Sequence, residues 1–234
     1  MTFNIYVPSY KRYDAILTDK TVEYCTYVVR KSEEQAYESA GVRNVLAVED
    51  SEIDSLVKVH NWILENTPED VVCLIDDDVE GYSYRTDTLK KIDSTEQATM
   101  EIERLAQLLY DLDIGYAATP SDMSLMYYDR PFKFVGVTGQ LKIFNKKALK
   151  TKFEEGMKFL CDMEFELQEL LKNRIILIPE YFCNHAHMDT NSGGNNEQKS
   201  LAMFNAENEI MKQKWGKYYI KADGGKAGRL KVDR

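Results

Sequence analysis

Apolar residues fall in short runs along this chain, separated by polar stretches with helical spacing. Phe3 to Val7, Tyr24 to Arg30, Val45 to Val48 and Val71 to Ile75 are four runs of strand length within the first eighty residues. Between the second and third, Ser32 to Ala40 predicts a helix with Ser32 as its cap and Gly41 as its stop. Between the third and fourth, Ile53 to Leu64 is amphipathic, with Ile53, Leu56, Val57, His60, Ile63 and Leu64 on one face. This alternation of strand and helix predicts right-handed crossovers and a mainly parallel sheet.

The second half is less regular. Glu80 to Ser94 is polar without strong periodicity and predicts a loop, followed by a long helix over Thr95 to Leu112. Ile114 to Thr119 predicts a strand ending at Pro120, and Ser121 to Pro131 an irregular segment rich in methionine and tyrosine. Phe134 to Asn145 alternates as a strand, and Lys146 to Lys150 predicts a short helix. Phe165 to Leu171 is helical, Ile175 to Ile178 is an apolar strand closed by Pro179, and Ser200 to Lys214 is a last helix. The expected fold class is α/β, a single domain over residues 1–210 with a Rossmann-like mixed, mainly parallel sheet flanked by helices.

The stretch Val71-Val72-Cys73-Leu74-Ile75-Asp76-Asp77-Asp78 organises the rest. Five apolar residues between Pro68 and Gly81 read as a strand buried on both faces. Three adjacent carboxylates cannot share a core, because each buried charge costs several kcal/mol unless paired or coordinated. Their place is the carboxyl end of the strand, where open α/β sheets hold ligands. Packed carboxylates there suit a hard divalent cation, Mn²⁺ or Mg²⁺, bridging to a substrate diphosphate. The plainer alternative is an acidic turn that only solubilises the strand end.

Three other segments carry candidate chemistry. Pro8 must end the first strand, and Ser9, Tyr10 and Arg12 after it offer a hydroxyl, an aromatic face and a cation for a base and phosphate. In Cys161-Asp162-Met163-Glu164, the two carboxylates fall in the first turn of a helix, where the dipole alone would account for them. Either could instead be a general base at an acceptor hydroxyl. His185 and His187 are spaced to face one side of an extended segment, as a third metal ligand or as a surface pair, ahead of a glycine-asparagine loop.

Charge modifies this picture. The chain of 234 residues carries a net −9, which argues against a polyanionic partner. From Met211 to Arg234, however, eight basic side chains stand against two acidic ones, a balance of +6 that leaves −15 for the first 210 residues. This basic tail, 211–234, includes Lys217, Lys221, Lys226 and Arg229 among aromatics, which suits contact with nucleic acid or an ordinary solvated terminus. The four cysteines are far apart and form no Cys-x-x-Cys pair, as expected of free thiols in a reducing cytoplasm. No apolar stretch approaches membrane-spanning length, so no membrane partner is expected.

Together these residues resemble a GT-A glycosyltransferase: a first strand ending in Pro-Ser-Tyr-Lys-Arg, alternating units, Asp-Asp-Asp, a later Cys-Asp-Met-Glu, and a late histidine. The resemblance covers about residues 3 to 190. It implies that Asp76 and Asp78 hold the divalent ion on a nucleotide-diphosphate sugar, with Asp78 as direct ligand and Asp77 beside the donor. It implies Asp162 or Glu164 as base and His185 or His187 as the late metal ligand. It further implies a donor site in residues 1–80 that uses Pro8, Ser9, Tyr10 and Arg12, with Arg30 and Lys58 as added positive charge, and an acceptor half in 81–210. The donor expected first is a UDP-sugar.

A narrower pattern, Val28-Val29-Arg30 through Gln35, Tyr37 and Gly41, then Val45, His60-Asn61 and Leu74 to Asp78, resembles the TET/JBP-associated glycosyltransferases of phages. That resemblance implies sugar transfer to 5-hydroxymethylpyrimidines in DNA, within a bacterial host cell. The basic tail agrees with it and the acidic body does not. Rival readings are a saccharide or other small acceptor, a nucleotidyltransferase, and a non-catalytic nucleotide-binding module. A nucleotidyltransferase would carry a glycine-rich, lysine-bearing loop after the first strand, which Pro8 to Arg12 is not.

Overall fold

In a computed structural model that describes residues 1–121, 123–186, 200–221 and 228–232, the four apolar runs are strands. They are β1 (Phe3–Pro8), β2 (Thr26–Arg30), β3 (Val45–Val48) and β4 (Val71–Ile75). They pair in parallel in the order β3-β2-β1-β4. Helices α1 (Glu34–Ser39) and α2 (Leu56–Asn66) connect β2 to β3 and β3 to β4. Next in the chain come β5 (Val79–Arg85), β6 (Leu89–Ile92), α3 (Thr95–Asp111), β7 (Tyr116–Pro120), β8 (Phe132–Lys133) and β9 (Thr138–Asn145). Strand β9 inserts between β4 and β7, antiparallel to both, and completes a six-stranded mixed sheet.

The chain closes with α4 (Cys161–Asn173), β10 (Ile178–Pro179), β11 (Phe182–Ala186), α5 (Leu201–Trp215), β12 (Tyr219–Ile220) and β13 (Arg229–Leu230). Period-two alternation splits the core into two apolar layers. Ile5, Val7, Cys73 and Ile75 face α3 and Tyr37 of α1. Tyr6, Val28, Val72 and Leu74 face α2, α4 and α5. All four cysteines are buried thiols outside any disulfide.

Three local expectations need correction. Residues 80–94 are not a loop: β5 and β6 form a hairpin that joins β11 in a second, antiparallel sheet. Lys146 to Lys150 is a turn closed by the Leu149 N–H on the Asn145 carbonyl, not a helix. Ser32 does not cap a helix; its hydroxyl donates to Asp50, and a 3₁₀ turn precedes α1. The expected boundary at residue 211 falls inside α5, where Met211 is fully buried, as is Tyr219 beyond it.

Candidate active site

The carboxyl ends of β1, β2 and β4 meet at one edge of the sheet. β4 ends at Ile75, and the turn after it sends the three aspartates to different partners. Asp77 turns toward Ser9, whose hydroxyl donates to its Oδ2 at 2.5 Å, and toward Arg12, whose Nη1 lies 2.7 Å from its Oδ1. Ser9 Oγ is also 2.7 Å from the Tyr37 hydroxyl. Asp77 is therefore the buried tie between the loop after β1 and the end of β4. Lys11, at φ 55°, takes the left-handed turn that brings Arg12 back to it. Thr18 ties the turn after β4, donating to the Asp76 carbonyl at 2.6 Å and accepting from the Val79 N–H at 3.3 Å.

Asp78 is half-buried and keeps a longer contact, 3.3 Å, to Arg12. Burial and the Asp77 charge raise its carboxyl above the usual range, while Arg12 opposes them. Asp76 lies on the Leu74 side of the strand. There β9 sets Lys142 opposite Leu74 in register. Lys142 is almost fully buried, and its Nζ is 3.5 Å from Asp162 in the first turn of α4. Burial would lower the Lys142 ammonium, but the Asp162 and Asp76 carboxylates outweigh it and hold it charged. Asp76 is pushed up to about 7 by burial, with Lys142 opposing and the Asp162 charge adding to the rise.

The structure thus brings Asp76, Lys142 and Asp162 together, and sequence reasoning missed Lys142. Glu164 does not join them. It is fully buried on the opposite side of α4, bonded to Lys214 at 2.6 Å and Gln168 at 2.6 Å. Glu166, one turn after Asp162, is a second buried carboxyl that sequence reasoning passed over. Its Oε1 accepts from the Thr138 N–H and hydroxyl, and burial pushes it up to about 8.

Of the remaining candidates, Tyr10 and Arg30 stack, with the guanidinium 4.0 Å from the ring centroid. Arg30 also donates to the Asp54 carbonyl at 2.6 Å, and Lys58 pairs with the Asp54 side chain at the surface. Pro8 ends β1 opposite Val28. His185 lies on β11 across from Gly81 with its Nε2 2.7 Å from Ser83 Oγ. Burial lowers its imidazole below the ordinary value against the raising effect of Glu80. His187 and Lys226 lie outside the described residues. Lys217 is exposed beside Tyr218, Lys221 pairs with Glu209, and Arg229 is exposed on β13.

Among the described residues no group of three or more His, Cys, Asp or Glu side chains stands ready to bind a metal. The oxygens present still fit a hard cation that a diphosphate would help to coordinate. Burial raises the Asp76 carboxyl despite Lys142, a cost that a cation's charge would offset, and Asp162 Oδ1 is buried without a hydrogen-bond partner.

A mycobacterial protein of known crystal structure superposes with a TM-score of 0.55 at 10 % identity, over 97 % of this chain and 82 % of its own. Glucosyl-3-phosphoglycerate synthase from Mycobacterium tuberculosis, solved with Mn²⁺, UDP-glucose and phosphoglyceric acid, gives 0.49 at 10 % identity over 80 % and 72 %. TarS of S. aureus gives 0.48 at 15 % identity over 78 % and 60 %. No curated protein matches the sequence. The mainly parallel sheet flanked by helices is the single α/β domain that the sequence predicts. The family model for TET-associated glycosyltransferases matches residues 3–194, and the chain belongs to that family.

Proposed function

We propose that this glycosyltransferase moves a sugar from a nucleotide-diphosphate sugar, a UDP-sugar first, to the hydroxymethyl group of a 5-hydroxymethylpyrimidine in DNA. The observation that carries the chemistry is the convergence of Asp76 and Asp162 on Lys142 at the sheet edge. Asp76 and Asp78 would hold a divalent ion, Mn²⁺ or Mg²⁺, with His185 or His187 as a further ligand. Such an ion, when bound, neutralises the charge that builds on the leaving diphosphate. Arg12, held by Asp77 and Asp78, adds positive charge at the same edge. Tyr10 and Arg30 offer a stacking surface for the base.

Asp162 takes the proton of the acceptor hydroxyl as its oxygen attacks the anomeric carbon. The bond from that carbon to the diphosphate oxygen breaks, its electron pair leaves with the nucleotide, and the centre inverts. Lys142 orients the Asp162 carboxylate through Oδ2, and the side chain is 39 % exposed for the acceptor to reach. The DNA acceptor draws on the family and on the exposed Lys217 and Arg229.

A small-acceptor reading is favoured by a different observation. Lys214 and Lys221 of the basic segment are neutralised by Glu164 and Glu209. The deciding assay incubates the protein with Mn²⁺, a panel of UDP-, GDP- and dTDP-sugars, and three acceptors: DNA containing 5-hydroxymethylcytosine, unmodified DNA and free saccharides. Sugar should appear on the hydroxymethylated DNA alone. Transfer to a free saccharide but never to that DNA overturns the acceptor.

A further inference from the structure

The family match ends at residue 194, ahead of α5. The residues beyond it nevertheless reach the helix that carries Asp162. Helix α4 has Leu160 at its N-cap position, with no capping bond from that side chain. The N–H groups at a helix start need acceptors from somewhere. Glu207 of α5, which is buried, supplies one for the N-cap N–H and takes the two N–H groups just before it. Its Oε1 accepts from the Lys158 N–H at 2.8 Å, and its Oε2 accepts from the Phe159 and Leu160 N–H groups at 2.9 Å each. The carboxylate also sits at the positive end of the α4 dipole.

Two turns along α5, Lys214 donates to Glu164 at 2.6 Å and to Glu154 at 3.2 Å. Glu164 belongs to the first turn of α4. Asp162 therefore lies between two anchors, one holding residues 158–160 and the other residue 164. Between Glu207 and Lys214, Met211 is fully buried in the same apolar layer as Phe165 of α4. Helix α5 is fixed by packing and can transmit a definite position.

We propose that Glu207 and Lys214 are positioning residues for the base, so that the C-terminal segment sets Asp162 against Lys142 and the acceptor. This rests on the reading of Asp162 as the base. A purely structural brace would change the folded fraction, and would lower turnover and donor binding together. A positioning brace separates them, because the donor-side residues Tyr10, Arg12, Asp76 and Asp78 lie on other elements.

The test uses the full chain with Glu207→Gln, Lys214→Met and Lys214→Arg, and with Asp162→Asn for reference. Three quantities are read: UDP affinity with Mn²⁺ by calorimetry, kcat with the nucleotide sugar that the unaltered protein turns over fastest, and amide hydrogen exchange across 158–164. Glu207→Gln should lower kcat by at least about tenfold with UDP affinity unchanged within about twofold. Exchange at 158–164 should quicken by about tenfold while β1 and β4 stay protected. Lys214→Met should follow in the same direction, and Lys214→Arg should restore most of the loss. If Glu207→Gln does not fold, the partly exposed Lys214 pair of variants decides. Unchanged kcat in the brace variants, or kcat and UDP affinity falling in step, overturns the proposal. Inactive Asp162→Asn beside fully active brace variants leaves the base standing and removes the brace; active Asp162→Asn removes both.

Discussion

Lys142 Nζ stands 3.5 Å from the Asp162 carboxylate, and its register partner on β4 is Leu74, two residues before Asp76. One buried cation therefore joins the strand that runs into the aspartates to the helix that begins with Asp162. Breaking a fully buried ion pair costs about 3–5 kcal/mol. Asp162 is 39 % exposed and partly screened, so Lys142→Met should cost about 2 kcal/mol. Thermal unfolding should show Tm lowered by about 4–8 °C. A Tm and turnover equal to those of the unaltered protein would remove Lys142 from the site.

Asp78→Ala should abolish transfer and the Mn²⁺-dependent part of UDP binding while the circular dichroism spectrum stays native. The reason is that its carboxylate is half-buried and only loosely engaged by Arg12. Asp77→Ala should act differently and loosen the loop after β1, since Ser9 keeps only Tyr37 and Arg12 only the longer contact to Asp78. Undiminished transfer in EDTA would refute metal dependence.

Asp162→Asn should lower kcat by at least about a hundredfold with donor affinity retained. Glu164→Gln should lose only as much as Lys214→Met, about tenfold, because its carboxylate pairs with Lys214 rather than Lys142. Equal losses in the two variants would show that the first turn of α4 reorganises when substrate binds.

Glu166 gives a pH prediction. Its carboxyl is held up to about 8 in the fold, mainly by burial, against an ordinary value of 4.5. The folded state then keeps a proton that the unfolded state releases. Its stabilising effect is complete below about pH 4.5 and is lost as pH rises towards 8, on the order of 5 kcal/mol in total. Glu166→Gln should flatten the fall in denaturation midpoint between pH 5 and pH 8. A slope unchanged by the substitution would mean that Glu166 is ionised throughout.

For the DNA acceptor, the basic segment cannot be deleted cleanly, since Leu230 and Val232 pack on the core. Lys217→Ala with Arg229→Ala alters exposed charge alone. Affinity for hydroxymethylated DNA should fall, and the log–log slope against salt should shrink by about one for each phosphate that is no longer neutralised. An unchanged slope would place the DNA elsewhere on the surface.

The site is legible in the sequence where physical rules are local. Five apolar residues in a row between turn signals predict a strand buried on both faces, and β4 is that strand. Lys142 is not legible, because a lysine in an alternating strand is read as a solvent-facing position. Its burial follows from the insertion of β9 between two strands and the packing of α4 over it. The β5–β6 hairpin hides for a similar reason. Its buried positions include Gly81, Ser83 and Arg85, so the strand period carries no hydrophobic signal, and the partner of Arg85 is Glu180, 95 residues away. Asp162 and Glu164 are about 200° apart on a helix. Spacing shows that they face different neighbours but not which one faces the substrate.

Helix α4 borrows its N-terminal acceptor from a residue 47 positions downstream of Leu160. A local cap forms as soon as its helix does, whereas this one exists only once α5 has been synthesised and folded back. The strands β1 to β4 lie wholly upstream and can pair before then. During synthesis, then, β1 to β4 can pair before α5 emerges, and the start of α4 is finished only after it.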